Sequence, residues 1–470
     1  MKKIAIIYGA KENGVQKKAL EVLSRELLDY TVEYPTCIAA DADFDREQFG
    51  QLIYIGTAQN NPYFKGLATH PTAPEGYVIT VKDGVIYIEG TDDGGVLYGC
   101  VDFYAKYIVN TEYLHTSYPY WKNPFENDVV LPDFELASAP SINNRGLWTW
   151  GHVIYDYRNY IDNMVKLKMN CVIIWNDFVP VNIDEMIAYA HDANIKIILG
   201  YPWGWDNGIE NFKLSMLLED VRAKVVEEYK REFAHLNIDG IYFQTVTETG
   251  KEEIDGVLIA EAVTEFVNKT AADIFEISPN LELQFGLHAT SVNKRLPYIQ
   301  KVDPRIRILW ENCGTFPFDY IPKHHIERFP ETLAFVREIA ALRGDGERFG
   351  VVTKAFTKLD WMAFEHQRGA YYMGVSSDAI QENRVVRKYE IWKYLQAYWL
   401  TYADKAYEMI RAMKEVTNGD MYCTALVEDG MFEKELMYIV ALYGEMLWNT
   451  DGDVKDMMTE VALRRDVKFV

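Results

Sequence analysis

Short apolar segments alternate with helical stretches through the middle of the chain, and this alternation constrains the fold more than any other feature. The segments that read as strands are residues 145–150, 170–176, 195–201, 239–246, 281–288, 305–311, 349–355 and 370–376. The clearest helix between them is Lys213–Phe233, where leucine and valine recur on one face. Eight strands that alternate with helices are typical of a (β/α)8 barrel. A doubly wound sheet is the alternative, but no glycine-rich phosphate loop follows the first strand, so we predict the barrel.

The residues before the barrel predict a small α/β domain. The stretch GYVITVKDGVIYIEG reads as a β-hairpin, because two alternating runs are joined by Asp83-Gly84, a dipeptide that suits a type I′ turn. The following stretch, DDGGVLYGCVDFYAKYI, reads as a helix with an aspartate as its N-cap. Residues 131–146 are rich in proline, serine and asparagine, which predicts a linker.

The residues after the barrel read as helices alone, and these helices either cap the barrel or form the interface of a homodimer. The sequence therefore predicts three parts. They are a small α/β domain over residues 1–135, a (β/α)8 catalytic barrel over 141–400 and a helical region over 401–470.

Charge and composition exclude several classes of partner. The 470 residues carry 70 acidic and 48 basic side chains, so the net charge is −22 and no basic patch is present to neutralise nucleic acid or an anionic membrane surface. No stretch approaches the roughly 20 apolar residues of a membrane span, and the first apolar run is too short for a secretory signal. The five cysteines are scattered without metal-ligand spacing. We expect reduced core cysteines in a cytoplasmic protein that uses no metal and no cofactor.

Polar and aromatic side chains gather at the ends of the predicted barrel strands, where barrel enzymes carry their sites. Seven of the 11 tryptophans fall at or just beyond such ends. The candidate binding residues, in chain order, are Trp148, Trp150, His152, Trp175, Asn176, Asp177, Trp203, Trp205, Gln244, His288, Trp310, Lys354, Trp361 and Asp378. Aromatic rings interspersed with hydrogen-bonding groups suit a sugar, whose C–H faces stack while its hydroxyls take polar partners. The structural alternative is that these aromatic rings form a hydrophobic plug beneath the loops.

Two carboxyl groups that flank the scissile bond are what glycoside hydrolysis requires. Glu248, at the end of the fourth strand, is the candidate acid, because a glutamate at the end of a buried strand is easily desolvated and its pKa rises. Glu311, at the end of the sixth strand, is the candidate base or nucleophile, with an ion pair to a neighbouring cation as the structural alternative. Lys354 could instead form a Schiff base, as in aldolase-type barrels.

The segment 76–108 resembles the small N-terminal α/β domain that several glycoside hydrolases share, among them the β-hexosaminidases and the α-glucuronidases of family sixty-seven. In those families a similar hairpin, turn and helix precede a (β/α)8 barrel, and the α-glucuronidases add C-terminal helices. The hexosaminidases carry an Asp-Glu pair after the fourth strand, whereas Thr247 precedes Glu248 in this sequence. The resemblance to the α-glucuronidases implies an acid after the fourth strand and a base from a later one, which matches the positions of Glu248 and Glu311.

The sequence thus predicts an exo-acting glycoside hydrolase that removes a terminal sugar from a short glycoside or oligosaccharide. A barrel that binds carbohydrate without turnover is one alternative. A lysine-dependent aldolase or lyase built on Lys354 is the other.

Overall fold

The computed structural model describes twelve ranges of the chain. They are residues 3–11, 13–31, 34–109, 131–204, 219–246, 251–288, 292–311, 325–344, 348–356, 365–374, 378–427 and 431–470. Within them the chain forms a six-stranded sheet near its N-terminus, a closed eight-stranded parallel barrel and a set of C-terminal helices. The predicted fold class is confirmed.

The N-terminal sheet has the order β2-β1-β3-β5-β4-β6. Its strands are β1 (Ile4–Tyr8), β2 (Thr36–Ala39), β3 (Gln51–Thr57), β4 (Tyr77–Lys82), β5 (Val85–Gly90) and β6 (Phe134–Ser138). Two helices, Gly14–Thr31 and Asp93–Tyr107, belong to this part, and short 3-10 turns lie at Arg46–Gln48 and Pro62–Gly66.

The predicted hairpin and N-cap are both present. Lys82 pairs with Val85 across the two-residue loop, and Asp83 and Gly84 both have positive φ angles, 52° and 75°. Positive φ at both central residues is what a type I′ turn requires. Asp92 caps the following helix, since its Oδ1 accepts a hydrogen bond from the Gly95 amide at 2.8 Å.

The segment predicted as a linker is partly sheet. Residues Phe134–Ser138 form β6, which pairs antiparallel with β4 at the edge of the N-terminal sheet. Its sequence, FELAS, alternates, and every side chain in it is half-buried or exposed, which suits an edge strand. The connection to the barrel is therefore confined to residues 139–143.

Eight parallel strands close the barrel in the order β10-β13-β14-β15-β16-β7-β8-β9. They are β7 (Asn144–Trp150), β8 (Cys171–Trp175), β9 (Lys196–Pro202), β10 (Gly240–Gln244), β13 (Glu282–His288), β14 (Arg307–Glu311), β15 (Phe349–Phe356) and β16 (Met421–Val427). A small ribbon of β11 (Glu253–Ile254) and β12 (Val257–Leu258) follows β10.

The eighth strand does not lie where the sequence predicted it. Residues 370–374 form no strand, and β16, within the region expected to be helical, closes the barrel between β15 and β7. An apolar run of seven residues such as MYCTALV cannot be separated from helix by periodicity alone when helices flank it. The preceding Asn418 and Gly419 both have positive φ angles, 51° and 82°, and these end the long helix before the strand begins.

The segment predicted as the eighth strand instead crosses the loops that follow β7 and β8. The Val181 amide donates to the Tyr371 carbonyl at 2.8 Å, and the Gly374 amide donates to the Tyr155 carbonyl at 2.6 Å. Two backbone groups of the segment thus form hydrogen bonds although it pairs with no neighbouring strand. The predicted domain boundaries stay a prediction, although the closing strand lies beyond residue 400.

Helices surround the barrel and pack beyond it. Their bounds are Tyr157–Lys166, Ile183–Asp192, Asp220–Glu228 continued by a π-turn at Tyr229–Phe233, Ile259–Ile277, Leu296–Ile299, His325–Ala340, Asp378–Thr417, Met431–Lys434, Tyr438–Trp448 and Val454–Ala462. Two short strands, β17 (Leu436–Met437) and β18 (Val467–Lys468), pair near the C-terminus. The first part of the helix predicted at Lys213–Phe233 lies outside the described residues. No described helix has the length and hydropathy of a membrane span.

Buried ion pairs join the N-terminal domain to the amino-terminal end of the barrel. Arg145, near the start of β7, lies 2.7 Å from Glu75, and Lys168, ahead of β8, lies 2.8 Å from Asp102. Burial by itself would raise the pKa of Asp102, but Lys106 and Lys168 lower it below its usual value. These contacts lie at the start of the strands, opposite the carboxyl ends where barrel enzymes carry their sites.

The cysteines are free thiols in the described parts of the chain. Cys100, Cys171 and Cys423 are buried, and burial raises the pKa of Cys171 and of Cys423 to about 12. Cys37 is exposed, so the prediction of a core cysteine is wrong there. Cys313 lies outside the described residues.

Candidate active site

Glu311 lies inside the barrel at the carboxyl end of β14, and only 1% of the residue is exposed. Its Oε1 accepts hydrogen bonds from the Tyr242 hydroxyl and the Gln244 amide of β10. Its Oε2 lies 3.1 Å from Nζ of Lys354 on β15, which is fully buried. Three donors from two strands therefore surround one buried carboxylate.

Gly286 makes this arrangement possible. It lies on β13, between β10 and β14 in the barrel. A Cβ atom at this position would lie 2.7 Å from Oε1 of Glu311 and closer still to the Tyr242 hydroxyl. Glycine thus leaves the space through which the tyrosine reaches the glutamate across an intervening strand.

The donors decide the charge of Glu311. Burial by itself would raise the pKa of its carboxyl group, but Lys354, His288 and the hydrogen bonds from Tyr242 and Gln244 hold the pKa below its usual value. Glu311 is therefore a carboxylate at neutral pH. It is suited to stabilise positive charge or to act as a nucleophile more than to donate a proton.

The ammonium group of Lys354 contacts both a carboxylate and an aromatic ring. Besides Glu311, its ammonium lies 4.0 Å from the centroid of the Trp148 ring. A Schiff-base lysine has to present its nitrogen to a carbonyl carbon, whereas this nitrogen is buried between the Glu311 carboxylate and the Trp148 ring. The arrangement does not favour the aldolase alternative.

The tryptophans at the strand ends divide into two groups. Trp148, Trp150 and Trp175 pack inside the barrel with Tyr242, and the rings of Trp150 and Trp175 stack at 5.0 Å. Of these three tryptophans, Trp148 and Trp175 are buried and Trp150 is partly exposed. A ring that stacks on a sugar needs an open face, so Trp150 is the best placed of the three.

Trp203 and Trp310 pack on the outside of the barrel. Trp203 stacks on Phe243, with their ring centroids 3.6 Å apart. Trp310 contacts Phe335 of the helix His325–Ala340 edge to face. Both tryptophans are buried among aromatic neighbours between the strands and the helices. Trp205 and Trp361 lie outside the described residues.

Asn176 and Asp177 hold the segment 365–374 in place. The Tyr371 hydroxyl donates to Oδ1 of Asn176 at 2.8 Å, and the Gln367 amide donates to Oδ2 of Asp177 at 2.9 Å. Both side chains were predicted to bind substrate, and their observed partners are protein groups.

A second buried network, which sequence reasoning did not find, lies beside β7 and β16. Glu433 is fully buried in the short helix after β16, and its Oε1 lies 3.0 Å from Nε2 of His152 and 3.4 Å from Nη1 of Arg384. Arg384 also pairs with Glu365. The sequence offers no spacing that links residues 152, 384 and 433, because strand closure brings them together.

The remaining candidates are only partly described. His288, half-buried at the end of β13, contributes to the low pKa of Glu311. Asp378 begins the helix Asp378–Thr417. Glu248, the predicted acid, lies outside the described residues, two positions after Val246, the last residue described beyond β10. Among the described residues, no cluster of His, Cys, Asp or Glu side chains could hold a metal ion.

The fold resembles that of solved glycoside hydrolases. A family GH138 enzyme that targets pectin rhamnogalacturonan II aligns with 96% of this chain and 64% of its own length, at 13% identity and a TM-score of 0.54. A family GH115 4-O-methyl-α-glucuronidase with specificity for decorated arabinogalactans aligns with 96% of this chain and 57% of its own, at 13% identity and a TM-score of 0.53. A β-N-acetylhexosaminidase from Bacteroides fragilis aligns with 96% of this chain and 88% of its own, at 12% identity and a TM-score of 0.54.

These similarities establish the fold. The chain spans about two thirds or less of the first two enzymes and most of the third. The sequence matches no protein-family model and no curated protein. At these identities the likeness carries no site residue across, so the chemistry has to be argued from this chain's own side chains.

Proposed function

We propose that this protein is an exo-acting glycoside hydrolase. The observation that carries the proposal is Glu311, a buried carboxylate held ionised by Lys354 at the carboxyl end of a barrel whose fold is shared with glycoside hydrolases. A negative charge at this position is suited to an oxocarbenium-like transition state, in which positive charge develops on the sugar ring.

Glu248 is the proposed general acid, and it follows Gln244, which donates to Glu311, by four positions in the sequence. A proton from Glu248 would allow the leaving group to depart, while Glu311 serves as nucleophile or base. Trp150, as the partly exposed ring of the stacked pair, is the proposed stacking surface for the sugar. We propose a short glycoside as substrate, with α-glucuronides and N-acetylhexosaminides as the first classes to test.

The experiment is a screen of 4-nitrophenyl glycosides, including uronides and N-acetylhexosaminides, to find the sugar that is hydrolysed best. The Glu248→Gln variant is then compared with the wild type on a methyl glycoside of that sugar, because 4-nitrophenolate is a good leaving group that needs little help from a general acid. We expect the variant to lose at least roughly a hundredfold in kcat, the usual contribution of one general acid, on a substrate with a poor leaving group. Glu253→Gln is the matched control, because Glu253 is an exposed residue of the nearby ribbon, and it should keep wild-type activity.

Two results would contradict the proposal. Full activity of Glu248→Gln on a poor leaving group would exclude Glu248 as the acid. Binding of sugars from the panel without turnover of any glycoside would instead identify a carbohydrate-binding barrel, the main alternative.

A further inference from the structure

His152 is a buried histidine, and among the described residues only one of its two ring nitrogens has a hydrogen-bond partner. Only 2% of the residue is exposed. Its Nε2 lies 3.0 Å from Oε1 of Glu433, whereas its Nδ1 is buried without a hydrogen-bond partner in the part of the chain that the structure describes. A buried polar nitrogen without a partner costs free energy comparable to a lost hydrogen bond, so its retention requires an explanation.

Glu433 fixes the tautomer of the His152 imidazole. Its Oε2 accepts the Asp156 amide at 2.8 Å, and Arg384 approaches its Oε1, so both carboxylate oxygens are occupied by donors. A carboxylate only accepts hydrogen bonds, so Nε2 of His152 carries the hydrogen. In the neutral ring Nδ1 then has a free lone pair and is an acceptor.

The location of His152 connects this acceptor with the proposed site. His152 comes two residues after Trp150, the partly exposed ring at the end of β7. Its carbonyl accepts a hydrogen bond from Nδ2 of Asn176, at the end of the neighbouring strand β8, at 3.2 Å. The backbone and Nε2 are thus both anchored, and the ring is held in one orientation before any ligand binds.

We propose that Nδ1 of His152 accepts a hydrogen bond from one hydroxyl group of the sugar substrate, and that Glu433 is the positioning residue that fixes the tautomer in which this nitrogen is the acceptor. The proposal rests on the proposed function for the class of ligand. It adds a specificity-determining contact: a site with a buried acceptor rejects a sugar that lacks the matching hydroxyl.

The chain permits a matched pair of substitutions. In His152→Gln the side-chain amide can still reach Glu433, but no group replaces Nδ1. In His152→Asn the shorter amide can occupy the place of Nδ1, but the contact with Glu433 is lost. His191→Gln is the control. His191 lies on the outer helix Ile183–Asp192, and its Nε2 also pairs with a carboxylate, that of Asp239, at 2.9 Å.

The kinetic test uses the aryl glycoside that the wild type hydrolyses best, together with its monodeoxy forms. We expect one monodeoxy substrate to lose roughly tenfold in kcat/KM with the wild type, the effect of one hydrogen bond. With His152→Gln the parent substrate should lose roughly tenfold and that deoxy form should show no further loss. The control His191→Gln should keep the full discrimination. An unchanged deoxy penalty in His152→Gln would overturn the proposal.

A spectroscopic test separates this proposal from the proposed function. In protein labelled with ¹⁵N-histidine, the His152 signals are assigned by their absence in His152→Gln. We expect the Nδ1 signal to shift when the free sugar of the best substrate is added or, if no glycoside is hydrolysed, when one of the panel sugars is added. Absence of turnover with a shifted Nδ1 contradicts the proposed function alone. Turnover with an unmoved Nδ1 at saturating sugar overturns the His152 proposal alone.

Discussion

Replacing Lys354 with methionine tests the electrostatics of the site most directly. The substitution keeps a side chain of similar length and removes the ammonium that lies 3.1 Å from Oε2 of Glu311. Glu311 then stays buried, with Tyr242 and Gln244 as its neutral donors. Breaking a buried ion pair by removing one partner costs about 3–5 kcal/mol, because the remaining charge is uncompensated. We expect a loss of this size in the free energy of unfolding near neutral pH.

The pH dependence of that loss follows from the pKa of Glu311. In the wild type its folded pKa lies below the unfolded value, so the carboxylate contributes stability that is present above the ordinary pKa of 4.5 and is lost as the pH falls through the folded pKa. In Lys354→Met, burial is opposed only by His288 and the hydrogen bonds from Tyr242 and Gln244, so we expect the folded pKa to rise above the unfolded value. The penalty is then largest near neutral pH and shrinks as acid protonates the folded carboxyl.

The assay is urea-induced unfolding followed by tryptophan fluorescence, at about pH 7.5 and about pH 5. Lys405→Met is the control, because Lys405 pairs with Glu408 at 3.1 Å on the surface, where a pair contributes less than about 1 kcal/mol. The double variant Lys354→Met/Glu311→Gln should recover part of the loss, since it removes the buried charge. A loss below about 1 kcal/mol, or an equal loss at both pH values, would refute the reasoning.

Two further predictions concern the neighbours of Glu311. Gly286→Ala should lower the free energy of unfolding in urea by about 1–3 kcal/mol, because the added methyl overlaps the Tyr242 hydroxyl and Oε1 of Glu311. The control Gly66→Ala, with no atom within 4 Å of the added methyl, should be near neutral. Equal effects of the two substitutions would contradict this explanation. Tyr242→Phe removes one donor and should raise the pKa of Glu311, so the acidic limb of the kcat/KM profile should move to higher pH; an unmoved limb would show that the hydroxyl does not tune the carboxylate.

The barrel could be predicted from sequence because it depends on local patterns that repeat. Seven of its strands were found close to their observed bounds, and the hairpin turn at Asp83-Gly84 followed from backbone preferences of two residues. The eighth strand was missed because AYYMGVS and MYCTALV have similar apolar patterns. Which of the two pairs with β7 is decided by the whole closed barrel, and no local window contains that information.

The candidate site was predicted less well, because position at a strand end does not specify which way a side chain points. Trp148 and Trp310 both come from strand ends, yet one packs inside the barrel and the other against an outer helix. Asn176 and Asp177 were correctly expected near the carboxyl ends of the strands, but tertiary contacts commit them to holding the segment 365–374.

By itself the sequence determined the class of the fold, the face of the barrel that carries polar groups, and Glu311 as a carboxyl group of interest. Tertiary structure alone decided that Glu311 is ionised, because its charge depends on Lys354, Tyr242 and Gly286, which come from three other strands. It also joined His152 to Glu433 across 281 positions of the chain. Periodicity is a local property that a sequence displays directly, whereas burial and charge depend on neighbours that only the folded chain brings together.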